Sequence, residues 1–251
     1  MAAGLTHSDV FQPPEGVYFE PTAKRVRAML GGHTVLDTTR ALLVWEHRFY
    51  PHYYIPVDDV APGALAATET TSEHERLGVA DHYTVRVGST EATDAAWRYR
   101  SAPDDTLCTM VRFDWDAMDA WFEEDTEVYV HPRSPYTRVD VLDSSRQVRV
   151  DIDGVRVAES TRSRILFETG LDPRYYLPKP DVRFELLQPS DLSTSCPYKG
   201  TARYWSVCID GAEHPNVAWS YDTPLAESIG VAGLVCFYTD RVSLLVDGNR
   251  V

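Results

Sequence analysis

"VRVDIDGVRVAES", residues 148–160, alternates apolar and polar side chains on both sides of Asp153-Gly154. Alternation with period two describes a strand with one buried face. An Asp-Gly pair between two such runs marks a two-residue hairpin turn, because both turn residues tolerate positive φ. Further along, "YWSVCIDGAEHPNVAWSY" (204–221) turns at Asp210-Gly211 and "VSLLVDGNRV" (242–251) at Asp247-Gly248. Helix-like spacing is confined to "TPLAESIGVAG" (223–233) and to "WDAMDAWFEE" (115–124), whose aromatics fit a helical or a strand period equally well. The chain therefore reads as mainly β, built of antiparallel hairpins with short helices.

Working outward, the first hairpin has a copy. A shift of 122 positions aligns residues 27–99 with 149–221 without a gap, and 20 of those 73 pairs are identical. Asp153-Gly154 falls on Gly31-Gly32, "DPRYYLPKPDV" (172–182) on "YPHYYIPVDDV" (50–60), and Trp219 and Tyr221 on Trp97 and Tyr99. After a two-residue change of offset, "LVCF" (234–237) matches "MVRF" (110–113). Self-similarity at a fixed period means two homologous units. They are placed at 24–125 and 147–251, after an N-terminal extension at 1–23 and around a linker at 126–146, where "VHPRSPYTRVDVLDSS" interrupts the patterning with prolines.

With 251 residues and 43% hydrophobic content, each unit can bury a core. A net charge of -14 and no run of Lys or Arg argue against nucleic acid or an anionic membrane as partner. No basic start followed by an apolar stretch opens the chain, and no apolar run reaches the roughly 20 residues of a membrane span, so a cytoplasmic location is expected. The four cysteines, Cys108, Cys196, Cys208 and Cys236, form no C-x-x-C pair and read as reduced thiols.

"AESTRSRILFETGLDPRYYLPKPDV" (158–182), "CPYKGTARYWSV" (196–207), "NVAWSYDTP" (216–224) and "IGVAGLVCFY" (229–238) resemble the family catalogued as domain of unknown function 427, also labelled nucleotidyltransferase-like. The resemblance covers 147–251, with a degenerate copy over 24–125. It implies a β-tent architecture, in which two antiparallel sheets meet at an angle and enclose a ligand or active site. Several β-tent relatives hold zinc through two C-x-x-C knuckles, and this sequence has none. Nucleotidyl transfer would need metal-holding carboxylates and a phosphate cradle. The D-x-D pairs Asp114-Asp116 and Asp151-Asp153 have no Gly-rich strand-to-helix loop beside them.

The units differ at one motif. "SCPYKG" (195–200) in the second meets "EHERLG" (73–78) in the first, so Cys196 faces His74, Tyr198 faces Arg76 and Lys199 faces Leu77. A cysteine beside a lysine is a candidate thiolate nucleophile, and a desolvated lysine can attack through its amine. The alternative for "CPYKG" is a turn shaped by its Pro and Gly. Glu168, kept as Glu46, closes an apolar run and is the candidate acid or base, or equally a carboxylate that caps a turn or pairs with Arg162. Tyr175, Tyr176, Tyr198, Trp205, Trp219 and Tyr221 are candidate pocket walls or plain core. Arg162 and Arg203 could clamp a carboxylate or phosphate, or serve in salt bridges. His47, His52, His74 and His82 gather in the first unit without the spacing of a helical metal motif, and no metal site is expected. The expectation is an enzyme acting on a small molecule in the C-terminal unit, with a non-catalytic ligand-binding or interaction module as rival. Cofactor, reaction and oligomeric state are not specified by these residues.

Overall fold

The structure, a computed structural model, describes residues 17–251; residues 1–16, most of the extension, lie outside the described residues. Two compact units divide between Ser134 and Pro135. The N-terminal unit has strands β1 (Tyr18–Pro21), β2 (Val26–Leu30), β3 (His33–Thr38), β4 (Leu42–Trp45), β5 (His52–Pro56), β6 (Leu65–His74), β7 (Gly78–Val87), β8 (Thr90–Tyr99), β9 (Met110–Phe113), β10 (Ala120–Glu123) and β11 (Thr126–Val128). The C-terminal unit has β12 (Val139–Ser144), β13 (Val148–Ile152), β14 (Val155–Ser160), β15 (Ser163–Glu168), β16 (Arg174–Leu177), β17 (Leu187–Cys196), β18 (Gly200–Ile209), β19 (Ala212–Ser220), β20 (Val235–Phe237), β21 (Ser243–Val246) and β22 (Asn249–Arg250).

Each unit is a seven-stranded and a four-stranded antiparallel sheet. The orders are β1-β4-β5-β9-β8-β7-β6 with β11-β10-β2-β3, and β12-β15-β16-β20-β19-β18-β17 with β22-β21-β13-β14. Replacing each strand by its counterpart converts one order into the other. Even the irregularities repeat: ladders shift at Ala67/Thr71 and Tyr83/Val85 in the first unit, and at Pro189/Ser193 and Trp205/Val207 in the second. Bulges aim side chains, so their repetition carries the placement of whole faces from one copy to the other.

The hairpin turns adopt the geometry their residues favour. Asp153-Gly154 stand at φ +48° and +79°, Asp210-Gly211 at +48° and +84°, Asp247-Gly248 at +52° and +81°, and Gly31-Gly32 at +58° and +75°. Two consecutive positive φ values match the right-handed twist of the flanking strands. Two segments with helix-like spacing take different forms. "WDAMDAWFEE" resolves into a turn followed by β10, because Trp121 stacks on Trp115 at 4.9 Å and pins the strand alternative. "TPLAESIGVAG" holds a short 3-10 helix, Ala226–Val231. Within the span read as a linker, Thr126–Val128 and Val139–Ser144 are strands; β12 pairs along β15 from Val139↔Glu168 to Ser144↔Ser163. Both edge strands β1 and β12 fall outside the gapless alignment, which is why the repeat boundaries looked narrower than the folded units.

Each seven-stranded sheet is buried on two faces. In the C-terminal unit the inner face joins the four-stranded sheet in one core, with Val148, Val150 and Leu244 meeting Tyr175, Leu177, Val207 and Phe237. The outer face carries a second cluster of Leu166, Tyr176, Ala202, Tyr204, Trp219, Tyr221, Val231 and Cys236. Among the described residues no helix is long and apolar enough to cross a membrane.

Candidate functional site

The outer face of the C-terminal sheet collects most of the residues singled out in the sequence. Alternation along β15 puts Leu166 and Glu168 on this face, while Ile165 points to the inner core. The β17–β18 hairpin ends in the pair Cys196↔Gly200, and Gly200, at φ +91°, closes the turn "PYK" between them. That turn is tied to the segment after β19: Leu225 N–H donates to the Lys199 carbonyl at 3.2 Å, and Ser228 Oγ to the Tyr198 carbonyl at 3.2 Å. Held this way, Lys199 Nζ donates to Glu168 Oε2. The side chains are 14% and 8% exposed, so the pair is largely removed from water.

Aromatic side chains surround it. Trp219 Nε1 donates to Tyr176 Oη at 3.3 Å, and Tyr204 Oη lies 3.2 Å from Tyr238 Oη. Arg174 sits over the Trp219 ring at 5.9 Å. Burial, and then the neighbouring Cys196, Tyr204 and Glu168, push the Tyr221 phenol up. Burial pushes the Tyr176 phenol far up and the Cys236 thiol up to about 12, so these groups stay protonated. Glu168, Lys199, Cys196, Tyr198, Tyr176, Trp219 and Tyr221 thus belong to one neighbourhood.

Four candidates stand elsewhere. Tyr175 and Trp205 belong to the inner core, on the far side of the sheet from Tyr176. Arg162 is 65% exposed and donates through Nε and Nη2 to Asp181, which also accepts from Ser160 Oγ at 2.7 Å. The N-terminal unit repeats this motif with Thr38, Arg40 and Asp59. Arg203 is 76% exposed and lies 3.8 Å from Asp222. The sequence reading passed over Tyr204, Tyr238, Cys236 and Arg174. For Tyr204 the signal existed: it shares strand parity with the buried Ala202, whereas its neighbour Trp205 has the opposite parity.

The corresponding place in the N-terminal unit keeps the carboxylate and changes its cation. Glu46 accepts from Arg112 Nη1 at 2.9 Å and from Tyr54 Oη at 2.6 Å, while Leu77, at the position of Lys199, is fully buried. Arg112 stands where the second unit has Cys236 and lies over Trp97 at 4.5 Å. His52, at the position of Arg174, is held down to about 2, first by burial and then by Arg112. It is therefore neutral, and its 4.0 Å approach to Glu46 is no ion pair at neutral pH. His74 faces Tyr99 edge-on at 6.3 Å, and His82 stacks on Trp97 at 5.5 Å with Nε2 2.8 Å from Ser72 Oγ. Among the described residues no group of three or more His, Cys, Asp or Glu is arranged to hold a metal. Of the D-x-D carboxylates, Asp151 pairs with Arg149 at 2.7 Å and Asp114 accepts from the Asp116 N–H at 3.3 Å.

The model described as domain of unknown function DUF427 matches in tandem, over residues 18–124 and 140–248. The chain belongs to the DUF427 family. Both DUF427 matches begin at the edge strands β1 and β12, and each takes in a whole seven-stranded sheet and three of the four strands of its partner sheet, stopping before β11 and β22. Comparison with curated proteins gives no match. Within one chain, the two DUF427 repeats show that a buried glutamate at the end of the fourth strand is compatible with a lysine from the hairpin turn or an arginine from the strand before the last hairpin.

Proposed function

We propose that this chain is a cytoplasmic enzyme of small-molecule metabolism and that its site is the Lys199–Glu168 pair of the C-terminal DUF427 repeat. One observation supports this above the rest: a largely buried lysine contacts a carboxylate at the turn where the other repeat has an inert leucine. Passing the ammonium proton to the carboxylate leaves a neutral amine, able to act as base or as nucleophile toward a carbonyl, and a carboxylic acid able to return the proton. Cys196 is the second candidate nucleophile. Tyr221 supplies a hydroxyl, and Tyr176, Tyr198 and Trp219 supply flat walls for a small organic ligand. Free thiols suit a reducing compartment, and the acidic charge suits a partner that is not nucleic acid.

A second reading, a non-catalytic binding or interaction module, is favoured by the Glu46–Arg112 pair, which neutralises the equivalent carboxylate with a group that cannot act as a base. Lys199→Arg separates the two. It keeps a cation for Glu168 but removes the amine. Wild-type chain and K199R are incubated with a cellular small-molecule extract and followed by mass spectrometry, with thermal melts in parallel. The enzyme reading expects a metabolite consumed by the wild type and spared by a folded K199R. Identical behaviour of the two sinks it. Iodoacetamide labelling read by peptide mass spectrometry tests the thiol: Cys196 is expected to react in the folded protein and Cys236 to stay unlabelled. If Cys196 is as inert as Cys236, the thiol leaves the mechanism.

A further inference from the structure

In the N-terminal unit a concavity of about 520 Å³ opens beside β5, β8 and β9, lined by Arg40, Val57, Asp58, Arg98, Thr109 and Met110. Neither Glu46 nor Arg112 lines it, and Lys199 belongs to the other unit.

Arg98 is the unusual member. The chain has 38 acidic residues against 24 basic ones, and within this unit Arg25, Arg27, Arg40, Arg86, Arg100 and Arg112 each meet a carboxylate. Arg98 meets none within ion-pair distance among the described residues. Its cross-strand neighbour is Asp81, but both oxygens of Asp81 are taken by Arg100, at 3.0 and 3.1 Å to Nε. The Arg98 guanidinium is half-buried and fixed by one hydrogen bond, Nη2 to the Cys108 carbonyl at 3.1 Å. Its Nε is sealed from water with no acceptor. Asp81 acts on Arg98 only through space, without a direct ion pair, and a partly desolvated cation so placed gains from a bound anion that contacts it directly. The fold does not require it, because the same position in the C-terminal unit is Ser220.

Arg40 stands across the same concavity. Its Nε and Nη2 are anchored to Asp59, which fixes the plane of the guanidinium and leaves its remaining N–H groups free of that pair. Two oriented guanidinium groups around a cavity of small-molecule size match the oxygens of a carboxylate or a phosphate. Val57 and Met110 offer apolar wall for the carbon skeleton, and Asp58 offers an acceptor for a hydroxyl group.

We propose that this concavity is a binding site for a small organic oxyanion, a carboxylate or a phosphate ester, with Arg98 as the residue that holds its charge. The test is isothermal titration of the full chain with inorganic phosphate and, separately, with acetate. Saturable binding of phosphate alone assigns a phosphate ester, of acetate alone a carboxylate, and either supports the site. Arg98→Ser, the residue of the sister unit, is expected to weaken binding by about tenfold or more. Arg86→Ser, an exposed arginine paired with Glu91, is expected to leave it unchanged. Should R98S fail to fold, Arg98→Gln carries the same expectation. No saturable binding of either probe, or binding by R98S or R98Q as tight as wild type, overturns the assignment.

Discussion

Replacing Lys199 by leucine puts the N-terminal repeat's side chain into the C-terminal repeat, and the two-fold construction of the chain makes its consequence calculable. Leucine is sterically acceptable there, because Leu77 is fully buried at the equivalent position. The loss is electrostatic: Glu168, 8% exposed, keeps no cation within ion-pair distance among the described residues, whereas Glu46 has Arg112. Removing one partner of a buried pair costs roughly 3–5 kcal/mol, since the remaining charge is left desolvated. The 14% exposure of Lys199 and the apolar gain from leucine favour the lower end, about 3 kcal/mol. For a chain of this size that lowers Tm by roughly 6–12 °C. Urea unfolding of K199L, E168Q and the double variant forms a cycle in which K199L/E168Q is expected to be more stable than the sum of the single losses by about 2 kcal/mol. If K199L costs less than about 1 kcal/mol, or if the cycle is additive, the pair behaves as a solvated surface ion pair. Charge neutralisation would then not explain why each repeat supplies a different cation.

Acid should weaken the N-terminal unit through His52. Its folded value of about 2 lies below the roughly 6.5 of an unfolded histidine, so the unfolded state binds the extra proton as pH falls through that window. Stability is fully present above about pH 6.5 and declines by up to about 1.4 kcal/mol per pH unit below it; His52→Gln is expected to flatten this slope in urea titrations between about pH 7 and pH 4.5. A wild-type slope equal to that of H52Q would show that the imidazole is not held neutral. Two turn glycines should rank by what surrounds them. Gly154→Ala meets open space and only the strain of φ +79°, about 1 kcal/mol, whereas Gly31→Ala at φ +58° would drive Cβ into Thr90 Oγ1 and should cost at least about 2 kcal/mol by urea unfolding. Equal losses would show that Thr90 yields freely.

Much of the fold was legible because it is written in local terms. Asp-Gly pairs demand positive φ, and alternation demands a strand. A constant offset between Arg27 and Arg149, or between Trp97 and Trp219, demands that both copies fold alike. The edge strands β1 and β12 were missed because an edge strand is specified by its one neighbour, and Tyr18–Pro21 and Val139–Ser144 share almost no residues.

The candidate site was legible only in part. Sequence alone determined that Glu168 is shared between repeats and that Lys199 is not, since both facts need nothing but the alignment. That Lys199 reaches Glu168, rather than Arg162 doing so, was decided by tertiary structure: the residues lie 31 positions apart and meet because the β17–β18 turn folds back over the end of β15, while Asp181 claims Arg162. The same holds for the aromatics. Tyr175 and Tyr176 are adjacent in the chain and lie on opposite faces of one sheet, and which face becomes the enclosed core depends on where the four-stranded sheet packs. A strand's sequence sets the parity of its side chains, but only the packing of distant strands assigns each parity to a core or a site.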